Sequence, residues 1–507
     1  MPTGTRNWLT PAAWVAAVAA LLLAVFPLGF PNYDTIYALV WGRELAHGVS
    51  PDYGAALPPT PHPLADLFGL VTTPLGGGAI DVTMVVAYLS LGLVGYLVYR
   101  LGALWFDRPI GAVAALIVLT RAPYLSNGLR AYVDLPYIAL VLGALVIETR
   151  RPRAGWPVLA LLAAAGLLRP EAWLFSLAYL AYLLLDFGRP SAGDGTTGVP
   201  LERADTQKRD LIRSRFVRAR GTPVVPAAGL VALSLAGPVL WALFDWITSG
   251  SPTYSFTGTR ETVDTLARHT GPVDLVLYGP RALGEVMQWP GMVGALGGVV
   301  LGFAFLRRRS TLGIAAGVLS LGAFALLAGA GLAIIARYTM LTGAILAIFV
   351  ALALLGWRLL EKGHPWRRAW QAFAAVVALM FVVWAPNQYD LLSRVDTDLT
   401  NQGGIESDLG DLADSGAFEP LCLPISVPNH RAVPRLAFDL EVRPSHIVSS
   451  SEQAHQPRRG YFLEPAGPFV VHNFILDPND PSRFTTTVPA GFHRIARNDS
   501  WVLYRRC

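Results

Sequence analysis

A chain of 507 residues in which 53% are hydrophobic and only 15% charged, with a mean hydropathy of +0.44, is not an ordinary soluble protein. It reads as an α-helical polytopic membrane protein. The formal net charge of +5 does not argue for nucleic acid, because cytoplasmic loops of membrane proteins collect Lys and Arg, and the basic residues here fall in such loops.

The first apolar run, "AAWVAAVAALLLAVFPLGF", has no charge and is long enough to cross a hydrocarbon core of ~30 Å as a helix. Arg6 ahead of it has the look of a signal peptide, but no A-x-A-like cleavage site precedes "PNYD", so a retained helix is expected. Further apolar runs lie near 82–99, 109–121, 134–148, 156–168, 172–186, 224–246, 291–306, 311–334, 339–357 and 370–385, giving about 11 spans. With the N-terminus cytoplasmic, the Arg-rich loops, including the long 187–222 segment with its "LIRSRFVRAR" cluster, all fall inside. The positive-inside bias thus fixes the orientation, and an odd number of spans leaves the C-terminus outside. The 187–222 segment reads as a solvated loop whose basic cluster can lie on anionic lipid.

Charges that recur at the outside face are the informative ones. Residues 31–81 form a first outside loop too long and patterned for a plain connector. In "PNYDTIYALVWGRELAHG", Ile36, Leu39, Val40 and Leu45 have near-helical spacing and Gly48 closes the segment, which predicts a short amphipathic helix along the interface. Asp34 has two readings: a cap for that helix, or an exposed carboxylate that takes a proton from an attacking hydroxyl. Farther along, His62 stands between two prolines, a stiff frame that presents a side chain to a site or simply makes a surface turn.

The second outside loop, "RAPYLSNGLRAYVDLP", carries Arg121, Arg130 and Asp134 at the mouth of a span. They read equally as interfacial anchors or as groups that bind phosphate and orient a sugar. In "AGLLRPEAWLF", Pro170 breaks the helix between Arg169 and Glu171, which suit a mutual ion pair. The stretch 245–291, with Gly and Pro hinges, suits a loop that orders over substrate, with Tyr254, Trp246 and Trp289 as sugar-stacking candidates or members of an aromatic belt. Arg337 in "IIARYTML" is isolated at a span end, where an anion, a headgroup or water must meet it.

From residue 386 the composition turns polar. Two domains follow: a membrane domain, 1–385, and a soluble extracytoplasmic α/β domain, 386–507. "RAVPRLAFDL", "PFVVHNFIL", "GFHRIAR" and "SWVLYRRC" read as short strands. Both cysteines, Cys422 and Cys507, fall in this domain on the oxidising side and suggest one disulfide.

"PNYDTIYALVWGRELAHGVSPDY" resembles the first outside loop of GT-C superfamily membrane glycosyltransferases, most closely the bacterial protein mannosyltransferase/aminoarabinose-transferase and polyprenyl-phosphate-mannosyltransferase groups. "VDLP", "LLRPEAW" and "ARYTM" fall where such proteins have an acidic second loop, a basic junction and an outside Arg-Tyr. The protein mannosyltransferase pattern has Asp-Glu where this chain has Asp34-Thr35. The resemblance implies an inverting enzyme that moves a sugar from a polyprenyl-phosphate donor to a glycan, lipid or protein hydroxyl on the outer face of the cytoplasmic membrane. It implies Asp34 as general base, Arg337, with Arg130 or Arg169, as holders of the donor phosphate, and Asp134 as a group that orients the acceptor. His62 and Tyr254, read from their own surroundings, are the further candidates for substrate contact. Asp134 with Asp34 also leaves room for a divalent cation, so the metal stays unassigned. A transporter or flippase of lipid-linked glycans, or a non-catalytic envelope-assembly protein, are the rival functions. The absence of an inverted repeat and the gathering of charge at one face favour surface chemistry.

Overall fold

Each apolar run of the sequence folds as a helix in the computed structural model, which describes residues 9–26, 29–185, 227–450, 457–474 and 487–507. The basic 187–222 segment lies outside the described residues. In chain order the first helices are α1 (Leu9–Val25), α2 (Tyr33–Ala46), α3 (Pro63–Thr72), α4 (Gly78–Trp105), α5 (Arg108–Leu119), α6 (Ala122–Leu129), α7 (Asp134–Arg150), α8 (Trp156–Gly166) and α9 (Glu171–Leu184). After them come α10 (Ala227–Ser249), α11 (Tyr254–Thr265), α12 (Gly271–Phe305), α13 (Arg307–Gly329), α14 (Met340–Leu355) and α15 (Arg367–Asp414).

By length and composition, six described helical segments suffice to cross a membrane: α4, α10, α12, α13, α15, and Ala336–Leu359, which contains α14. A seventh forms if α5 and α6 count as one span bent by 63°. The bend has a local cause: Pro123 cannot continue the α5 hydrogen-bond ladder and instead starts α6. Arg121 at that bend donates to Gln288 (2.7 Å) and Gln388 (3.0 Å), tying it to a kink in α12 at Gln288 and to α15. The sequence expectation of eleven spans thus meets shorter apolar helices among the described residues, α1, α8 and α9 being examples.

Two stretches differ from the sequence reading. The 245–291 stretch is the end of α10, helix α11 and the start of α12, not an extended loop. The amphipathic helix at 35–48 is α2, yet it is not laid along an interface, for Ile36 through Gly42 are all buried. One side of α2 crosses α3 with glycine on both partners. A Cβ on Gly42 would stand 2.3 Å from the Leu70 nitrogen, and one on Gly69 would stand 2.2 Å from the Ala38 carbonyl oxygen. The other side meets the C-terminal domain, where Tyr37, Val40 and Trp41 share a core with Ile405, Leu409, Leu436 and Trp501.

That domain carries a five-stranded sheet of β1 (Ile425–Val427), β2 (Ile447–Ser449), β3 (Gly460–Pro465), β4 (His493–Arg497) and β5 (Trp501–Arg506), in the order β2-β1-β3-β5-β4. β1 runs parallel to β2 and β3, and β5 is antiparallel to β3 and β4. "GFHRIAR" and "SWVLYRRC" supply β4 and β5 as predicted. "RAVPRLAFDL" and "PFVVHNFIL" instead form helices α16 (Val433–Asp439) and α17 (Pro468–Asn473), each with proline in its first turn, where the missing N–H costs nothing. Cys422 and Cys507 are joined as a disulfide with a Cα–Cα distance of 6.2 Å, fastening the end of β5 to the segment before β1. The composition change at 386 falls inside α15, whose 48 residues reach about 70 Å, so one helix runs from the bundle into the domain core.

Gly42→Val is expected to push α2 off α3 and lower the melting temperature in detergent by several degrees, whereas Gly404→Ala, with open space at its Cβ, should leave it within about 1 °C. Equal melting of the two variants would contradict the close crossing.

Candidate active site

The end of α2 is capped by Asn32, not Asp34. The Asn32 side chain accepts from the backbone N–H groups of Asp34 (2.8 Å) and Thr35 (3.3 Å), in the extended backbone conformation usual for a cap. Its amide nitrogen donates to the Arg130 carbonyl (2.9 Å), and Thr35 Oγ1 donates to the Ala131 carbonyl (2.8 Å), locking the second loop to the first turn of α2. The capping reading of Asp34 is therefore corrected: its carboxylate has no end-group duty and turns to a cavity.

That cavity encloses about 830 Å³ between the helical bundle and the C-terminal domain. Asp34 lines it and accepts from Arg337 Nη1 at 3.2 Å. Arg337 comes from a short 3₁₀ turn, Ala336–Thr339, just before α14, and lies against the rings of Tyr132 (5.3 Å) and Tyr338 (5.4 Å). Burial pushes the Asp34 carboxyl up, but Arg337, through its charge and its hydrogen bond, is the main influence that outweighs burial and holds the group below its ordinary value, with Arg431 a smaller contributor. It is thus kept as carboxylate.

One part of the lining is apolar, with Trp173, Pro238, Trp241, Leu327, Leu332 and Ile335. His62 packs against this part, its ring edge-on to Trp241 at 5.7 Å and its Nδ1 without a partner. Burial lowers its pKa to about 3, so the imidazole is neutral and brings no charge. A polar part of the wall comes from α6, α15 and the C-terminal domain, with Ser126, Arg130, Gln402, Glu406 and Arg431. Arg130 donates to Gln402 (3.1 Å) and Ser126, and lies over Phe30.

Arg169 also reaches the cavity wall, but its guanidinium is committed. It donates to Asp134 at 2.7 Å and to Glu171 at 2.7 Å, all three groups being buried, and its face rests on Tyr338 at 4.2 Å. Burial works against its charge, yet the two carboxylates hold it firmly protonated. The geometry makes this triad a pillar beneath Arg337 and does not bring Asp134 to the cavity wall. Tyr254 is likewise not part of the wall: it stacks on Tyr53 at 4.7 Å and pins the start of α11 to the first loop. Trp246 and Trp289, 62% and 71% exposed, stand away from it. Among the described residues no three His, Cys, Asp or Glu side chains converge to hold a metal ion, and the two carboxylates offered for a cation are each taken up by an arginine.

Arg431, from the C-terminal domain, was not visible as a site residue in the sequence. It lies over the Tyr33 ring at 5.8 Å and acts on Asp34, but it sits in a segment that reads as a strand far from any span.

The fold has counterparts among solved structures. The fold matches that of ArnT from Cupriavidus metallidurans bound to undecaprenyl phosphate, with 14% identity, 99% of this chain and 98% of that one covered, and a TM-score of 0.54. The apo state of the same protein matches at 15% identity, over 98% of this chain and 97% of that one, with a TM-score of 0.50. The apo form of the Archaeoglobus fulgidus oligosaccharyltransferase gives 12% identity over 91% and 70%, with a TM-score of 0.46. At these identities the likeness is one of fold. The likeness in fold covers nearly the whole of both chains. No protein-family model matches the sequence, and no curated protein is similar to it.

Arg169→Met leaves two buried carboxylates without their cation, and should cost about 3–5 kcal/mol. Arg337 and Asp34 keep 24% and 22% of their side-chain surface exposed, so Arg337→Met should lower the melting temperature less. Comparable losses in the two melting curves would argue against the pillar.

Proposed function

We propose that the protein is an inverting glycosyltransferase that moves a sugar from a polyprenyl-phosphate donor to an acceptor hydroxyl at the outer face of the cytoplasmic membrane. The observation that carries this reading is a carboxylate relieved of capping, kept ionised, and set in the wall of one cavity whose lining has both an apolar and a polar part. The fold shared with a protein whose structure holds undecaprenyl phosphate supports it. So does the distribution of positive charge, which favours an inside N-terminus and, with the odd number of spans expected from the apolar runs, an outside C-terminal domain.

In the proposed reaction the donor chain lies along Trp173, Trp241 and Leu327, with its phosphate against Arg337. The acceptor oxygen attacks the anomeric carbon from the face opposite the phosphate. A new C–O bond forms as the C–O bond to phosphate breaks, and the hydroxyl proton passes to Asp34. Arg337 stabilises the charge that collects on the departing phosphate. Arg169 acts indirectly, by fixing Tyr338 and the turn that carries Arg337. His62, neutral, is suited to a hydrogen bond with a sugar hydroxyl.

Transport of a lipid-linked glycan or a purely structural envelope role would leave Asp34 without work. The deciding assay presents a panel of radiolabelled polyprenyl-phosphate sugars and cell-envelope acceptors to purified protein. Asp34→Asn should fold, with a melting temperature lowered only modestly by loss of the ion pair with Arg337, and transfer about 10²- to 10⁴-fold more slowly, the range for loss of a general base. Transfer by the variant at the parent rate would sink the proposed role.

A pH profile supplies a second check. Because the Asp34 pKa is depressed, the base stays ionised down to the ordinary carboxylate range of ~4, and loss of rate through this group should begin only below it. The same sign governs stability: the ion pair with Arg337 contributes above the ordinary carboxylate pKa and is lost as pH falls through the depressed value. An acid limb near neutrality that vanishes in Asp34→Asn would contradict the assignment.

A further inference from the structure

The polar arm of the cavity contains two arginines that the proposed reaction does not use. Arg130 is only 9% exposed, and its Nη2 has no acceptor; Arg431 has an Nε in the same state. The two are close enough for their charges to oppose each other, and the nearby carboxylates of Asp398, Glu406 and Asp34 act on them through space, not through a direct ion pair. Holding two guanidinium groups together with unfilled N–H donors is costly in a cavity wall, and the cost is removed by an anion that accepts from both. Arginine suits this role because its planar fork matches the oxygens of a carboxylate or phosphate. Phe30 and Phe474 flank the arm, and Gln402 holds the Arg130 Nε in place.

We propose that Arg130 and Arg431 form a second anion subsite, closed by the C-terminal domain, that binds an acidic group of the acceptor. The inference rests on the glycosyltransfer reading, since it takes the apolar arm beside Arg337 for the donor. Two observations assign the subsite to the acceptor. Its walls come from α6, α15 and the C-terminal domain, not from the helices around the apolar arm. And Arg337, the cation in contact with Asp34, already serves the other arm. The soluble domain is then a specificity element: through Arg431 it selects acidic acceptors over neutral ones.

The test uses the full chain in detergent and reads binding, not turnover. Decaprenyl phosphate is added to saturation to fill the donor arm, and inorganic phosphate is titrated against intrinsic tryptophan fluorescence in the parent, Arg431→Gln, Arg130→Gln and Arg337→Gln proteins. The expected result is that Arg431→Gln and Arg130→Gln each weaken inorganic phosphate at least tenfold and leave decaprenyl phosphate within twofold, while Arg337→Gln does the reverse. Phosphate affinity unchanged in both Arg130 and Arg431 variants, or no phosphate binding by the parent up to 20 mM, overturns the subsite. A matching loss of decaprenyl phosphate in Arg431→Gln assigns the pair to the donor and overturns the acceptor assignment. Should Arg431→Gln fail to fold, Arg431→Lys keeps the charge without the fork and should bind phosphate more weakly than the parent. If decaprenyl phosphate does not bind the parent while the phosphate losses remain, the subsite stands and the donor reading of the apolar arm falls.

Discussion

A helix that starts inside a protein must find acceptors for its first N–H groups, and in α2 that demand is met by Asn32. The consequence is larger than one cap. The Asn32 amide nitrogen and backbone N–H both reach the Arg130 carbonyl, so the chain entering α2 and the chain leaving α6 are fixed to each other. Thr35 repeats the link one turn on, through Ala131. Two loops that are far apart in sequence thereby become one wall, with Asp34 and Arg130 projecting from it. Were Asp34 the cap, its oxygens would be occupied by backbone N–H groups and turned away from the cavity.

The sequence was most legible where a residue's surroundings were local. Apolar runs announced their helices, since burial in lipid or in a bundle leaves composition few alternatives. The two cysteines could pair only with each other among cysteines, and they do. Asp34 and Arg337 stood out as charges beside apolar segments, yet their contact, 303 residues apart in sequence, is a product of tertiary structure. The same distance hid the difference between Arg169 and Arg337. Both precede a helix at the edge of an apolar run, but Arg169 finds Glu171 and Asp134 and is consumed by them, whereas Arg337 has one carboxylate and an Nε without an acceptor. Short segments of the C-terminal domain were misread for a different reason. Apolar residues in "RAVPRLAFDL" and "PFVVHNFIL" fit a strand as well as one or two helical turns, and only proline position separates the two.

Composition also suggested a clean border at 386, and the backbone does not observe it. α15 crosses that point as a single helix, with Pro386 inside it, and its far end supplies Ile405 and Leu409 to the core of the soluble domain. The domain is held a second time by α2, whose buried face enters the same core, and by Arg43, which donates to the carbonyls of Ala437 and Phe438 at 2.8 Å each. A domain anchored by a rigid helix and by the helix that carries Asp34 cannot move freely relative to the site. Its Arg431 is therefore positioned by the same packing that positions the base.

The electrostatics of the cavity bear on how the proposed reaction divides its work. Asp34 is surrounded by more positive than negative charge, which keeps it ionised but makes it a weak base. A weak base takes a proton readily only after the attacking oxygen has begun to bond and become acidic. Proton transfer then belongs late in the reaction, and the burden of lowering the barrier shifts to the bond that breaks. The arginine at Asp34 suits that division, because charge leaving the anomeric carbon for the phosphate strengthens its pull as the reaction proceeds. The residue that weakens the base is thus the one placed to assist the leaving group. The contact between Asp34 and Arg337 serves the reaction as a pair, not as a strong base with a structural partner.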